Sequence, residues 1–291
     1  MTARLHHPTA AGTRWELPTA EYLRRLGYSG PVEPGADCLR ALCEAHLLAV
    51  PYEMLDALEG RRPCLELPGV FDKLVYRRCG STCLEATPLF GRFLRDVGFR
   101  VRLVAAQAWR VNGRWAPRWD HLLLLVEAEG AEWVVDVSFL MLTVLRPLRT
   151  GGEPQEHSGW THRVGEVDGH RAVLRRMPGG DWVPVYRFAE RALEIDDYAW
   201  IVDYHMDADD SPLTGSLLCS RVVPGGKLIV MRDNFVRAED GRESVDFLAT
   251  AAEAEKAFAE VFQDHGHLVE KALGLWEKTR RSHRGPLPGI G

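Results

Sequence analysis

The chain has 291 residues, 46% hydrophobic and 26% charged, the balance of an ordinary globular protein with enough length for one large or two to three small domains. A net charge of −5, with Lys and Arg scattered along the chain, leaves no basic face for nucleic acid and no field toward anionic membrane. No apolar run is long enough to span a bilayer.

The N-terminal stretch MTARLHHPTAAGTRW lacks the apolar core of a signal peptide and reads as a loose leader. The absence of an export signal points to the cytoplasm, where thiols stay free. The six cysteines, Cys38, Cys43, Cys64, Cys79, Cys83 and Cys219, are spaced too irregularly for a disulfide framework.

In chain order, Thr19 is placed to cap a short helix through Tyr22, Leu23 and Leu26 that Gly27 ends. Leu39, Leu42, Cys43, His46 and Leu47 then recur at helical spacing, which makes Cys38 and Cys43 core or near-core residues and His46 a helix-face histidine. Leu89, Phe90, Phe93, Leu94 and Val97 trace another helical face, closed by Gly98. After it the pattern turns β-rich, in FRVRLVAAQAW, HLLLLVEA and EWVVDVSF. The Gly-, Glu- and His-rich segment from Arg149 to His170 reads as a long loop. Strands are expected at 181–188 and in GKLIVMRDN, then a helix after Thr250 through Phe262 and another at 267–278. The basic cluster Lys278–Arg284 reads as a frayed, solvated end. Helices followed by strands and a mixed tail make an α+β chain, not an alternating βαβ one.

The segment RRCGSTCLE, Arg77 to Glu85, carries two of the six cysteines four residues apart. Structural zinc needs a second ligand pair, which the sequence does not supply at ligand spacing. A disulfide would close a very short loop in a reducing compartment. Buried packing is the default for a free cysteine. Cys83 differs in its setting. Thr82-x-x-Glu85 fits a capping box, which makes Cys83 the first residue of a helix, where orphan N–H groups and the helix dipole favour a thiolate. Pro88 leaves two readings open: a helix that starts at Cys83 and kinks at Pro88, or one that starts later with Thr87 as its cap.

A thiolate nucleophile wants a histidine base, and the base wants an orienting acceptor. His121 opens HLLLLV and Asp136 interrupts WVVDVSF, each a polar group within an apolar strand that calls for a partner. With Glu129-Gly130 as a two-residue hairpin loop, Asp136 lies opposite Leu123. It then shares a face with His121 at about 7–8 Å between Cα atoms, within side-chain reach. A three-residue loop without a bulge would put the two on opposite faces. Taken singly, His121 is a strand-end histidine and Asp136 a strand-edge charge; taken together with Cys83 they form a Cys-His-Asp set.

These residues resemble the arylamine N-acetyltransferase superfamily. The likeness runs from Glu21 to Phe262, through EYLRRLGYSG, LRALCEAHLLAVPYEMLDAL, CGSTCLEATPLFGRFLRDVGFRV and DHLLLLVEAEGAEWVVDVSF, and more weakly through SPLTGSLLCSRVVPGGKLIVMRD. It puts the family's Cys, His and Asp on Cys83, His121 and Asp136. It implies an N-terminal helical bundle over 1–98 carrying the nucleophile, a central β-barrel over 99–195 carrying His and Asp, and a C-terminal α/β lid with a flexible tail over 196–291. It also implies ping-pong acyl transfer from a thioester, acetyl-CoA in the family, to an amine, typically an arylamine or hydrazine. Tyr52, Ser138 and Phe139 would bind substrate. No metal, flavin or other tightly bound cofactor is implied; the partners are a small-molecule amine and an acyl thioester, with an acyl carrier protein as the alternative bearer of the acyl group.

The chain departs from the family pattern in two places. Cys79 stands where the family has the arginine that pairs with the glutamate of its Pro-Phe-Glu motif, here Glu53; Arg78 or Arg77 is the expected substitute, and Cys79 a bystander. Ser138 and Leu140 replace two glycines beside the reactive sulfur, which points to a reshaped pocket. Some members of the superfamily are amide synthases that release or cyclise a chain from a carrier-protein thioester onto an amine, the runner-up reading. A thiol hydrolase with a cysteine-protease-like site, or a binding protein that keeps the fold without the activity, are the readings from other classes.

Overall fold

The computed structural model describes residues 15–110, 112–116, 119–139, 146–157, 159–176, 179–208, 211, 217–240, 242–263 and 265–280. The expected leader up to Arg14, Leu140, and the Arg281–Arg284 end of the basic cluster lie outside the described residues.

Five helices come first: α1 Thr19–Leu26, α2 Ala36–Ala49, α3 Leu55–Leu58, α4 Leu67–Phe71 and α5 Cys83–Asp96, with one π-type turn, Asp72–Tyr76, between the last two. Gly27 closes α1 in the left-handed region at φ 67°. Thr19 is not the cap; the residue before it, Pro18, caps α1 through its carbonyl, while the Thr19 hydroxyl turns back to the Leu17 carbonyl. The apolar faces of α1, α2 and α5 meet in a core of Tyr22, Leu39, Leu42, Phe90 and Phe93. His46 is wholly inside it, with its Nδ1 2.9 Å from the Tyr22 hydroxyl. Helix α5 starts at Cys83 and continues through Pro88, so the earlier of the two possible starts is the real one.

An eight-stranded antiparallel sheet follows, in the order β5-β4-β3-β2-β9-β8-β7-β6. Its strands are β2 Arg100–Ala108, β3 His121–Ala128, β4 Ala131–Val135, β5 Leu148–Arg149, β6 Gln155–His157, β7 Trp160–Val167, β8 His170–Arg176 and β9 Val183–Phe188. The Gln155 side chain accepts from the Arg149 N–H at 3.0 Å and donates to the Arg149 carbonyl at 3.1 Å. That stitch brings the two edge strands, β5 and β6, together and nearly closes the sheet into a barrel. The segment read as a loop from Arg149 to His170 therefore contains β6 and β7. The alternation of Trp160, His162 and Val164 inward is masked there by Thr161 and Arg163 facing out and by the exposed Glu166 near the strand's end.

Strand β3 is buried on both faces. Leu122, Leu124 and Val126 face the helices, whereas Leu123 and Leu125 face the barrel interior with Val104, Val173 and Tyr186. Two buried faces are why HLLLLV is a continuous apolar run rather than an alternating one.

A second sheet, β1-β10-β11-β12-β13, joins β1 Tyr52–Glu53 to β10 Leu218–Val223, β11 Gly226–Met231, β12 Asn234–Glu239 and β13 Arg242–Phe247. Helix α6, Ala199–Asp207, precedes β10 in the chain, and α7 Ala251–Phe262 and α8 Gly266–Arg280 cover one face of the sheet. Thr250 caps α7, accepting from the Glu253 N–H. Among the described residues no helix is long and apolar enough to cross a membrane.

The hairpin between β3 and β4 sets the site. Ala128 pairs with Ala131, Leu124 with Val135, and Glu129 and Gly130 form the two-residue loop at φ 52° and 72°. Two left-handed residues are the type I′ signature, whose twist matches that of the flanking strands. A Gly130→Val variant should lose about 1–2 kcal/mol of unfolding free energy in urea, since a β-branched residue at that φ meets the carbonyl beyond it.

Candidate active site

The position of Cys83 is made by local chain chemistry. Residues 79–82 run beside β1, with the Ser81 N–H on the Pro51 carbonyl and the Glu53 N–H on the Ser81 carbonyl, both at 3.2 Å. A Cβ on Gly80 would lie 2.5 Å from the Pro51 oxygen and 2.6 Å from Glu53 Cγ, so the chain passes here only as glycine. Thr82 is extended, its N–H donates to Glu85 Oε2 at 3.3 Å, and the helix opens at Cys83. The thiol is thus buried at the first position of α5, among N–H groups without helical partners.

His121 and Asp136 come together as the hairpin parity requires. His121 Nε2–H donates to Asp136 Oδ2 at 2.7 Å, with both side chains buried. Asp136 lies one residue past β4, opposite Leu123, and its other oxygen accepts the Ser138 N–H at 3.0 Å. Cys83 is within hydrogen-bonding reach of His121. Burial alone would strip the proton from His121; its interactions with Asp136 and Cys83 overcome it and lift the imidazole to about 10. The Phe139 and Tyr186 rings pack on the imidazole, centroids 4.8 Å and 5.7 Å away. Burial, reinforced by the Asp136 charge, keeps the Tyr186 phenol protonated.

Among the expected substrate-binding residues, Tyr52 is half-buried between Ser81 and Ser220, and burial and the charge of Cys83 raise its phenol well above the ordinary value. Phe139 is half-buried against His121. Ser138 is buried, its hydroxyl 2.8 Å from Thr87 Oγ1, so the side chain is taken up by α5. Among the described residues no cluster of His, Cys, Asp and Glu has the form of a metal site.

The expected cation for Glu53 is corrected. Arg77 pairs with Asp72 at 2.8 Å, and the cation that faces Glu53 is Lys73, on the π-type turn. The buried Lys73 ammonium lies 3.0 Å from both oxygens of Glu85, 3.2 Å from Asp56 and 3.8 Å from Glu53. Burial opposes its charge, but three carboxylates outweigh that and raise the amine's proton affinity. Glu85 therefore ties Lys73 to the turn that holds Cys83, while Glu53 accepts the Leu55 N–H at 2.7 Å. Cys79, expected to be a bystander, is half-buried, with its sulfur 3.8 Å from His267 Nε2.

The reach of Lys73 is invisible in one dimension, because only the π-type turn swings it under α5. Thr87 and Tyr186 likewise carry no local signal: one reads as a helix residue, the other as a strand aromatic. Removing the cation leaves buried carboxylates facing one another. Lys73→Met should cost about 3–5 kcal/mol in urea unfolding, and Lys73→Arg clearly less.

A family model described as N-acetyltransferase matches residues 36–265. Arylamine N-acetyltransferase of Escherichia coli (strain K12) is 31% identical over 221 residues, covering 76% of this chain and 79% of that protein. Proansamycin X synthase of Amycolatopsis mediterranei (strain S699) is 27% identical over 253 residues, covering 84% of this chain and 97% of that protein. Among solved structures, Mycobacterium marinum arylamine N-acetyltransferase in complex with CoA superposes with a TM-score of 0.80 at 26% identity, over 90% of this chain and 99% of that one. The Salmonella typhimurium arylamine N-acetyltransferase gives 0.78 at 27%, over 89% and 98%. With its helices, nearly closed barrel and C-terminal layer in the arrangement of these structures, the chain belongs to the arylamine N-acetyltransferase superfamily and is an acyltransferase.

Proposed function

We propose that the protein carries an acyl group from a thioester to an amine as an acyl-Cys83 intermediate, with His121 as acid and base and Asp136 as its orienter. The observation that carries this is the buried order Cys83, His121, Asp136 at the N-terminus of α5. In the first half-reaction the Cys83 thiolate attacks the thioester carbonyl. The new C–S bond forms as the bond to the donor sulfur breaks, and His121 gives its proton to the departing thiolate. One thioester replaces another, so the exchange is close to balanced in energy.

Acylation removes the negative charge of Cys83, one of the two that hold the proton on His121. The freed imidazole then takes a proton from the attacking amine. The amide forms, Cys83 leaves as thiolate, and the ion pair is restored. Asp136 keeps the imidazole's Nε2–H occupied and stabilises the imidazolium. Tyr52 beside Cys83 and Phe139 beside His121 form the pocket walls, and Ser138 shapes the turn between them. The donor is acetyl-CoA and the acceptor an arylamine, which the arylamine N-acetyltransferase relatives and the CoA complex of one of them support.

The likeness to proansamycin X synthase over nearly all of that protein favours a second reading, an amide synthase fed by a carrier-protein thioester. Intact mass after incubation with acetyl-CoA alone separates the two. A gain of one acetyl group, lost in Cys83→Ala, is expected. No gain with Cys83 still readily alkylated points to a longer, carrier-borne acyl group. Rapid loss of the acyl group to water without amine would instead mark a hydrolase.

The His121 pair also predicts a pH dependence. Folding raises the imidazole from 6.5 to about 10, so its contribution to stability is full below pH 6.5 and is lost as the pH climbs to about 10. The pH-dependent part of the stability difference between wild type and Asp136→Asn should follow that window in urea titrations. The same variant should acylate on the order of 10³-fold more slowly or worse.

A further inference from the structure

Lys227 is the second residue of β11, inside a sheet whose neighbouring positions are apolar. Period-two alternation sends Leu228 and Val230 into the core under α7 and α8, so Lys227 lies on the opposite face. It is 3% exposed. A buried amine in the middle of a sheet is costly, and a leucine would fill the space without that cost. What the amine does is reach out of its own sheet: Nζ donates to the Phe139 carbonyl.

That carbonyl belongs to the turn on which the site hangs. Asp136 accepts the Ser138 N–H at 3.0 Å, the Ser138 hydroxyl meets Thr87 of α5 at 2.8 Å, and the Phe139 ring packs on His121 at 4.8 Å. The turn is therefore held on one side by the helical layer and on the other by the C-terminal sheet. We propose that Lys227 is a positioning residue for acyl transfer, the group through which the C-terminal sheet fixes the Asp136–Phe139 turn and, with it, the seat of His121. The inference rests on the reading of Cys83, His121 and Asp136 as the reacting set.

The amine's chemistry suits that duty over a wide pH range. Burial pushes Lys227 down to about 7, with the Asp136 charge pulling the other way. Both the ammonium and the free amine keep an N–H to donate, so the anchor does not depend on the amine's charge.

Iodoacetamide, with the alkylated cysteine identified by peptide mapping, reads the state of the site without knowledge of the donor. In wild type, Cys83 is expected to react well ahead of Cys79, its half-buried neighbour. In Lys227→Met the Cys83 rate should fall about 10- to 100-fold, the scale of a catalytic group displaced by about an ångström. Cys79 reactivity and the urea midpoint should hold, since the variant removes a buried amine from an apolar setting. Lys227→Gln, which keeps an N–H donor without a charge, should recover most of the rate; it also supplies the answer if the methionine variant fails to fold. A Cys83 rate unchanged in both variants overturns the role of Lys227. If wild-type Cys83 reacts no faster than Cys79, the reading of the reacting set fails instead, whatever the variants do.

Discussion

A buried imidazole and a buried carboxylate 2.7 Å apart are the constraint around which this protein is arranged. Neither charge is stable in an apolar interior by itself, and each has a partner for what the other leaves over. Asp136 turns its second oxygen to the Ser138 N–H, and His121 interacts with Cys83 as well as with Asp136. Breaking one member of such a set strands the rest, so its geometry is protected by the same desolvation cost that makes it expensive.

The three layers of the fold converge on that set. The helical layer presents Cys83 at a helix start and keeps it there through Glu85 and Lys73. The barrel supplies His121 and Asp136 from one hairpin whose parity is fixed by two left-handed residues. The C-terminal sheet contributes through β1, which pairs with β10 and carries Tyr52 and Glu53, and through Lys227. Glu53 and Lys73 thus form a second buried charge group directly behind the turn that carries Cys83. Two ionic clusters in one interior are a poor source of net stability, but they fix which residue stands where.

Several of these relations are local in sequence and could be read there. Thr82-x-x-Glu85 marks the start of α5, and Glu129-Gly130 sets the register that puts His121 and Asp136 on one face. Pro88 could not be resolved from sequence, because proline is tolerated in a first turn and tells little about where that turn begins. Lys73 could not be connected to Glu85 and Glu53, because its reach depends on a π-type turn and on packing against α5. The expectation of Arg77 or Arg78 followed chain proximity, and Arg77 is instead engaged by Asp72 on the outside. Strands β6 and β7 hid because short barrel strands with charged outer faces look like polar loops. Lys227 hid for the opposite reason: a lysine after Pro-Gly-Gly looks like an exposed turn residue, and only the tertiary fold buries it.

The central claim is that His121 holds its proton at neutral pH between Asp136 and Cys83, and nuclear magnetic resonance of the imidazole tests it most directly. With histidine labelled in carbon and nitrogen and His121 assigned by its loss in His121→Gln, the ring should remain doubly protonated at pH 8. It should titrate only toward about 10. A His121 ring that loses its proton near 6.5, as an unpaired imidazole does, would contradict the account.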